Sequence, residues 1–425
     1  MGKTRTKTHS KSGKDILHST TSPLVKSART KASSRSIEDL LTEAAALLEQ
    51  SQPELALPLA EEALRRLEAE SDHNNDIDTL LQLAAQGQPT LPIILNVYGE
   101  IQLSLGNLET ARQSFLRSTQ IDPDGALISA EPYLWLAQLS EPGGRDSIEY
   151  FVKATEVLRN EIDVLSDTNE GSAAGGAVAL APEIEAVVGE KRAKLAEALC
   201  AMAEVYMTDL SWEEDAESRC EAYVTEAVAV CPEPLSAGAL QTLASVRISQ
   251  ERLDDARQAL KRSLEIWKDI PVEVESESRP DFATRVSLSR LLMEVEVETD
   301  AMRVIEELIR EDDQSVECWY LGGWCQVLMS NKDQETRSAE EQTKLLEQAK
   351  SWLDSCLRLY RVQEYEDERL RDHAKELVHD LNTRLGVEDG GDEDDDDAAW
   401  EDEDDEGSDD DDLEVRSDDG DVKMS

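Results

Sequence analysis

Six cysteines and five histidines are the side chains in this chain best suited to nucleophilic, redox or metal chemistry, and their spacing offers none of it. Cys200, Cys220, Cys231, Cys318, Cys325 and Cys356 are scattered with no CxxC pair. Neither a zinc site nor a disulfide framework is suggested, and a reducing compartment fits. His9 and His18 lie in a basic N-terminal stretch, and His73 stands alone. His373 and His379 are six apart, which puts them on different helix faces and excludes the i,i+4 pairing that metals use. A Cys–His nucleophile would need a proximity that nothing in the sequence indicates. Gly143-Gly144 and Gly175-Gly176 lack the GxxxxGK[ST] context of a phosphate loop. The run Asp392-Glu393-Asp394-Asp395-Asp396-Asp397 lacks the oxygen spacing and central glycine of a calcium loop. The expectation is a protein that is not an enzyme and needs neither cofactor nor metal.

The carboxylates carry the chemistry that remains. The 425 residues hold 93 Asp and Glu against 43 Lys and Arg, a net charge of −50. Such a surface repels phosphate backbones and anionic membranes, so the expected partners are basic proteins. The charge is unevenly placed. Residues 1–35 carry nine basic residues and one acid among many Ser and Thr, net +8. They have too little apolar surface to offset ordering entropy. This arm reads as a solvated tail; an import signal for an importin, or a weak RNA contact, would want a compact Lys/Arg cluster that is absent. Residues 388–425 hold 22 acids and two basic residues, a self-repelling interaction tail. The body, 36–387, keeps −38. Met1 to Lys14 has no apolar core and no stretch approaches the ~18 apolar residues of a membrane span. A soluble, intracellular monomer is expected.

Elements that could position these carboxylates follow from composition and period. Ala, Leu and Glu dominate the middle and only 4% of residues are aromatic, which is helical composition. The segment Pro92 to Pro123, PIILNVYGEIQLSLGNLETARQSFLRSTQIDP, matches the 34-residue tetratricopeptide pattern of an antiparallel helix pair. Gly99 and Ala111 lack bulk where the helices touch, Leu95, Tyr98 and Phe115 fill the space between them, and Gly106-Asn107 supplies the turn. Degenerate copies surround it: Leu40, Ala44, Ala56, Ala60 and Ala63 before, with Pro58 expected to kink the second helix; then Tyr133 to Ala154, Leu199 to Pro232, Leu240 to Ser263, Ser289 to Leu308, and Trp319 to Gly322 with Ala349, Leu353 and Cys356. The predicted fold is all-α: about seven helix pairs stacked as a superhelix, with a flexible loop over 165–182 and a polar insertion over 331–342.

The first helix of each pair lines the concave face of such a superhelix. Its outward positions are Glu38, Asn96, Glu100, Glu131, Gln138, Glu197, Glu204, Gln241 and Trp319, with Asp209 and Glu294 near the edge. Any one Glu also reads as an ordinary solvated face. Together they describe an acidic groove that, with the tail, would attract a basic client and speed its capture. A co-chaperone clamp for acidic C-termini would need Lys, Arg and Asn there, whereas this groove presents Glu100, Glu197 and Glu204. A histone chaperone or a scaffold for a complex remains the alternative within the binding class.

At ILNVYGEIQLSLGNLETARQSFLRSTQIDP, and in its basic start, repeat body and acidic tail, the chain resembles the fungal assembly chaperones of ribosomal protein L-four. The resemblance implies that the groove captures the long basic internal loop of newly made L-four. It further implies shielding from aggregation and RNA, and escort from cytoplasm to nucleus for incorporation into pre-60S particles.

Overall fold

The computed structural model describes residues 35–387, except 71–75, 171–181, 272, 273, 275 and 333–336. The expected basic arm, Arg35 apart, and the acidic tail lie outside the described residues, as does His73. Among the described residues there are sixteen α-helices, one 3₁₀ turn and no strand. In chain order they are α1 (Ile37–Glu49), α2 (Pro53–Glu70), α3 (Ile77–Ala85), α4 (Leu91–Ser104), α5 (Leu108–Ile121), α6 (Glu131–Gln138), α7 (Gly144–Glu170) and α8 (Pro182–Met207). Then follow α9 (Ala216–Val230), α10 (Ala237–Ser249), α11 (Leu253–Trp267), α12 (Phe282–Glu294), α13 (Glu298–Glu311), α14 (Val316–Lys332), α15 (Ala339–Gln363) and α16 (Glu368–Leu385). Seven antiparallel pairs form: α1 with α2, α4 with α5, α6 with α7, α8 with α9, α10 with α11, α12 with α13 and α14 with α15. Each pair stacks on the next, and α16 closes the last one.

The pairs close on small-to-large contacts. A Cβ added at Gly99 of α4 would stand 2.5 Å from the Phe115 ring of α5, and Phe115 is fully buried. In the last pair a Cβ at Gly322 would collide with the Trp352 indole. Glycine is therefore what lets an aromatic ring lie against the facing helix backbone. A second device ties the end of two of the pairs to their beginning. The Ser118 hydroxyl donates to the Pro92 carbonyl at 3.1 Å, and Ser263 donates to the Ala237 carbonyl at 2.9 Å. Apolar burial is distributed along the superhelix as a succession of neighbouring clusters, so each pair depends chiefly on its neighbours.

Helix ends follow local chemistry. Ser36 and Asp281 cap α1 and α12 through the amides of Asp39 and Thr284, and Ser338 with Glu341 forms a capping box on α15. The turns inside four pairs are the same structure. After α4, Leu105, Gly106 and Asn107 donate their amides to the carbonyls of Ile101, Leu103 and Gln102, and the same three bonds recur at 50–52, 250–252 and 295–297. The central residue is left-handed in all four, Gly106 at φ +77°, Ser51 at 56°, Glu251 at 59° and Glu296 at 62°. Only one of the four uses the residue that favours that conformation.

One expectation is corrected. The loop expected over 165–182 is shorter at its start, because α7 continues through Leu165–Glu170 and no glycine interrupts it before Gly171. The polar insertion at 331–342 has helical ends, α14 running to Lys332 and the Ser338 cap starting α15 at Ala339, while 333–336 lie outside the described residues. Pro58 lies inside α2, in the second turn of a helix that runs from Pro53 to Glu70. At 27 and 26 residues, α7 and α8 also outlast the 14-residue helices of the regular pair α4–α5.

Candidate peptide-binding groove

Neighbouring first helices present their outward residues side by side. Asn96 and Glu100 lie one turn apart on α4, Glu131 starts α6, and Glu197 and Glu204 lie two turns apart on α8. The structure joins them electrostatically. Lys194 of α8 donates to the Glu131 carboxylate of α6 at 2.5 Å, and its charge also acts on Glu197 and Glu100. Continuing past α8, Glu197 and Glu204 face a cleft of about 770 Å³ shared with Gln241 and Thr242 of α10. Its far wall is the segment before α12, with Ser278, Arg279 and Asp281, then Thr284, Ser287 and Leu291 of α12 itself.

The electrostatics of this stripe follow from concavity and from a shortage of cations. Burial raises the Glu100 carboxyl above its ordinary value, the Glu131 charge raises it further, and Lys194 opposes both. Glu197 is raised by burial against the pull of Lys194, and Glu204 by burial against a hydrogen bond from Thr242. Both side chains reach solvent, yet the walls of the cleft displace part of their hydration shells. Glu131 moves the other way: burial would raise it, but hydrogen bonds from Lys194 and Ser129 hold it below the usual carboxylate range. Lys194, for its part, is raised by its bond to Glu131, against desolvation. Three carboxylates thus stand in a partly dehydrated wall where a cation would relieve them.

Other predicted residues stand elsewhere. Gln241 lines the cleft but is 5% exposed and holds Ser263 at 3.5 Å, so it is largely committed to the core. The Asp209 carboxylate accepts the Gly144 amide at 3.1 Å and anchors the start of α7. Trp319 is turned into the last pair, its ring 4.8 Å from that of Trp352 and tilted by 57°, with its indole N–H on the Asp313 carbonyl. Glu294 belongs to a second cleft between α12, α14 and α16. Gln138 is exposed at the end of α6, and Glu38 lies at the far end of the molecule beside Arg66. The Asn96 side-chain oxygen, Oδ1, is buried and makes no hydrogen bond.

Sequence reasoning missed Lys194 and Arg279, the cations inside the acidic face. Lys194 could have been found three residues before Glu197 on the same helical face. Arg279 lies in an irregular segment with no periodic signal, its guanidinium over the Trp267 ring at 5.7 Å and its Nε and Nη1 buried without hydrogen-bond partners. The five buried cysteines and the half-buried Cys231 stay free thiols, and burial pushes Cys200 up to about 12 and Cys231 up to about 11. Among the described residues no group of three metal-ligating side chains forms, and no helix is long and apolar enough to cross a membrane.

Stacked helix pairs with this small-to-large register define a tetratricopeptide-repeat superhelix, and the tetratricopeptide repeat family model matches residues 94–124. A curated protein of Emericella nidulans, named "Probable assembly chaperone of rpl4", is 41% identical over 364 residues, covering 82% of each chain. A protein of the same name from Schizosaccharomyces pombe is 34% identical over 303 residues, 70% of this chain and 82% of its own. The solved structure titled "Assembly Chaperone of RpL4 (Acl4)", residues 1–338, aligns with a TM-score of 0.61 at 41% identity, covering 71% of this chain and 99% of that one. The chain belongs to this family of rpl4 assembly chaperones.

Proposed function

We propose that the protein is a dedicated chaperone of ribosomal protein L4. Its acidic concave face receives the basic internal loop of newly made L4, shields it from RNA and aggregation, and accompanies it from cytoplasm to nucleus for large-subunit assembly. The observation that carries this reading is the stripe of Glu100, Glu197 and Glu204, whose raised carboxyls are short of counter-charge in a partly dehydrated wall. Lysine and arginine side chains of an extended segment supply that charge, and steering by the remaining acidity speeds encounter.

Titration calorimetry of the full chain with purified L4 tests it. Replacing Glu100, Glu197 and Glu204 together with Lys is expected to abolish most of the affinity, and an unchanged affinity at physiological salt would remove the groove from the mechanism. Affinity purification of the tagged chain from cytoplasmic and nuclear fractions is expected to recover L4 from both. Histones as the dominant partner would transfer the same chemistry to a different basic client, and recovery of an importin with L4 would support the escort step.

A further inference from the structure

Helix α12 divides two clefts. Thr284, Ser287 and Leu291 face the acidic one, while Arg290, Met293 and Glu294 face the other, about 600 Å³, whose opposite walls are α14 and the start of α16. The chemistry of this second cleft is different. Met293, Tyr320, Leu321, Trp324, Leu328 and Leu370 line it, and its rim carries Arg290, Glu294, Asp367 and Arg369. Two of the rim charges are already engaged: Arg290 pairs with Glu317 at 2.5 Å, and Asp367 accepts the Leu370 amide at 3.0 Å as the cap of α16. Glu294, which lines the cleft, is exposed.

The aromatic wall is held before anything binds. Trp324 lies 5.8 Å from Tyr320, and the His373 ring meets it edge-on at 5.4 Å and 87°. Tyr320 and His373 share a 2.6 Å hydrogen bond that fixes both rings. Burial pushes the Tyr320 hydroxyl up to about 12, so Tyr320 keeps its proton across the neutral range. An apolar wall fixed in advance binds at a smaller ordering cost than one that must assemble.

We infer that this cleft is an apolar subsite of the groove. It takes one large apolar side chain of the bound segment, next to a lysine or arginine that Glu294 receives. The inference rests on the chaperone reading above. Two observations select this occupant: the cleft continues the acidic face across a single shared helix, and its unengaged rim carboxylate matches a basic chain. The acidic tail of the molecule carries one aromatic residue, Trp400, but its charge has the same sign as Glu294 and the neighbouring stripe.

The test uses the full chain and purified L4. Trp324→Ala is expected to weaken binding about tenfold, with Trp324→Phe recovering most of it and the salt dependence of binding unchanged. Because Trp324 also touches the core, a second arm leaves it in place: a photo-crosslinking amino acid replaces the exposed Arg369. Crosslinks are expected on an L4 segment containing a large apolar residue beside a basic one. Crosslinks to the 388–425 tail, or none to L4 while L4 remains bound, would overturn the subsite and leave the chaperone reading standing. Failure of L4 to bind the unmodified chain would overturn both.

Discussion

The acidic stripe and the aromatic cleft lie on either side of α12, and they are built in opposite ways. In the stripe, Glu100 comes from α4 and Glu197 and Glu204 from α8, and they act through summed charge. In the cleft, Tyr320, Trp324 and His373 lock one another into place and act through shape. The difference assigns separate tasks. Long-range charge governs capture and is screened by salt, whereas a preformed apolar wall selects which residue of a captured segment settles there.

Charge reversal at Glu100, Glu197 and Glu204 is the largest lever, expected to cost at least about 100-fold in L4 affinity, with a shallower salt slope than the unmodified chain. A loss from Trp324→Ala with the same salt signature would collapse the two regions into one. Acidification should separate them next. The stripe carboxyls are raised above the ordinary value of 4.5 by burial, so they protonate before exposed carboxylates as pH falls. Binding should weaken as pH falls, measured by calorimetry at constant ionic strength, and the Glu100→Gln/Glu197→Gln/Glu204→Gln variant should lack this extra dependence. For the free fold the sign is reversed. A carboxyl raised by folding stabilises the folded chain at low pH and loses that contribution as pH rises through its raised value. Glu197→Gln should therefore raise the melting temperature slightly at pH 7 while weakening L4 binding. A drop would show that the ionised form is satisfied without a client.

Lys194 tests how far the stripe is self-neutralised. Lys194→Gln frees Glu131 and is expected to strengthen L4 binding about threefold at low salt, read from association rates. The smallest effect lies outside both regions. Glu251→Gly, at the left-handed turn of the α10–α11 pair, should add about 0.5–1 kcal/mol in denaturant unfolding and leave affinity unchanged, which calibrates folding against binding.

The regular repeat was legible because its residues repeat in type as well as position. Gly99, Ala111 and Phe115 announce a close helix contact by size alone, and the structure contains that contact. The turns of the degenerate pairs were harder to read, since Ser51, Glu251 and Glu296 adopt the backbone of Gly106 without its composition, held there by the same three hydrogen bonds. Glu100, Glu197 and Glu204 could be read from helical phase. Phase failed for Asp209 and Trp319, because it says which way a residue leaves its helix and nothing about what a neighbouring loop or helix does with it.

By itself the sequence determined the helices, their pairing and the net charge, all of which depend on residues within about one repeat of each other. Tertiary structure decided the rest. It set Lys194 against Glu131, 63 residues away, and brought Tyr320 to His373, 53 residues away. It also turned Trp319 inward and gave α12 a different cleft on each side. Those outcomes depend on how successive pairs stack, and stacking is set by the summed packing of many side chains, which no single spacing records.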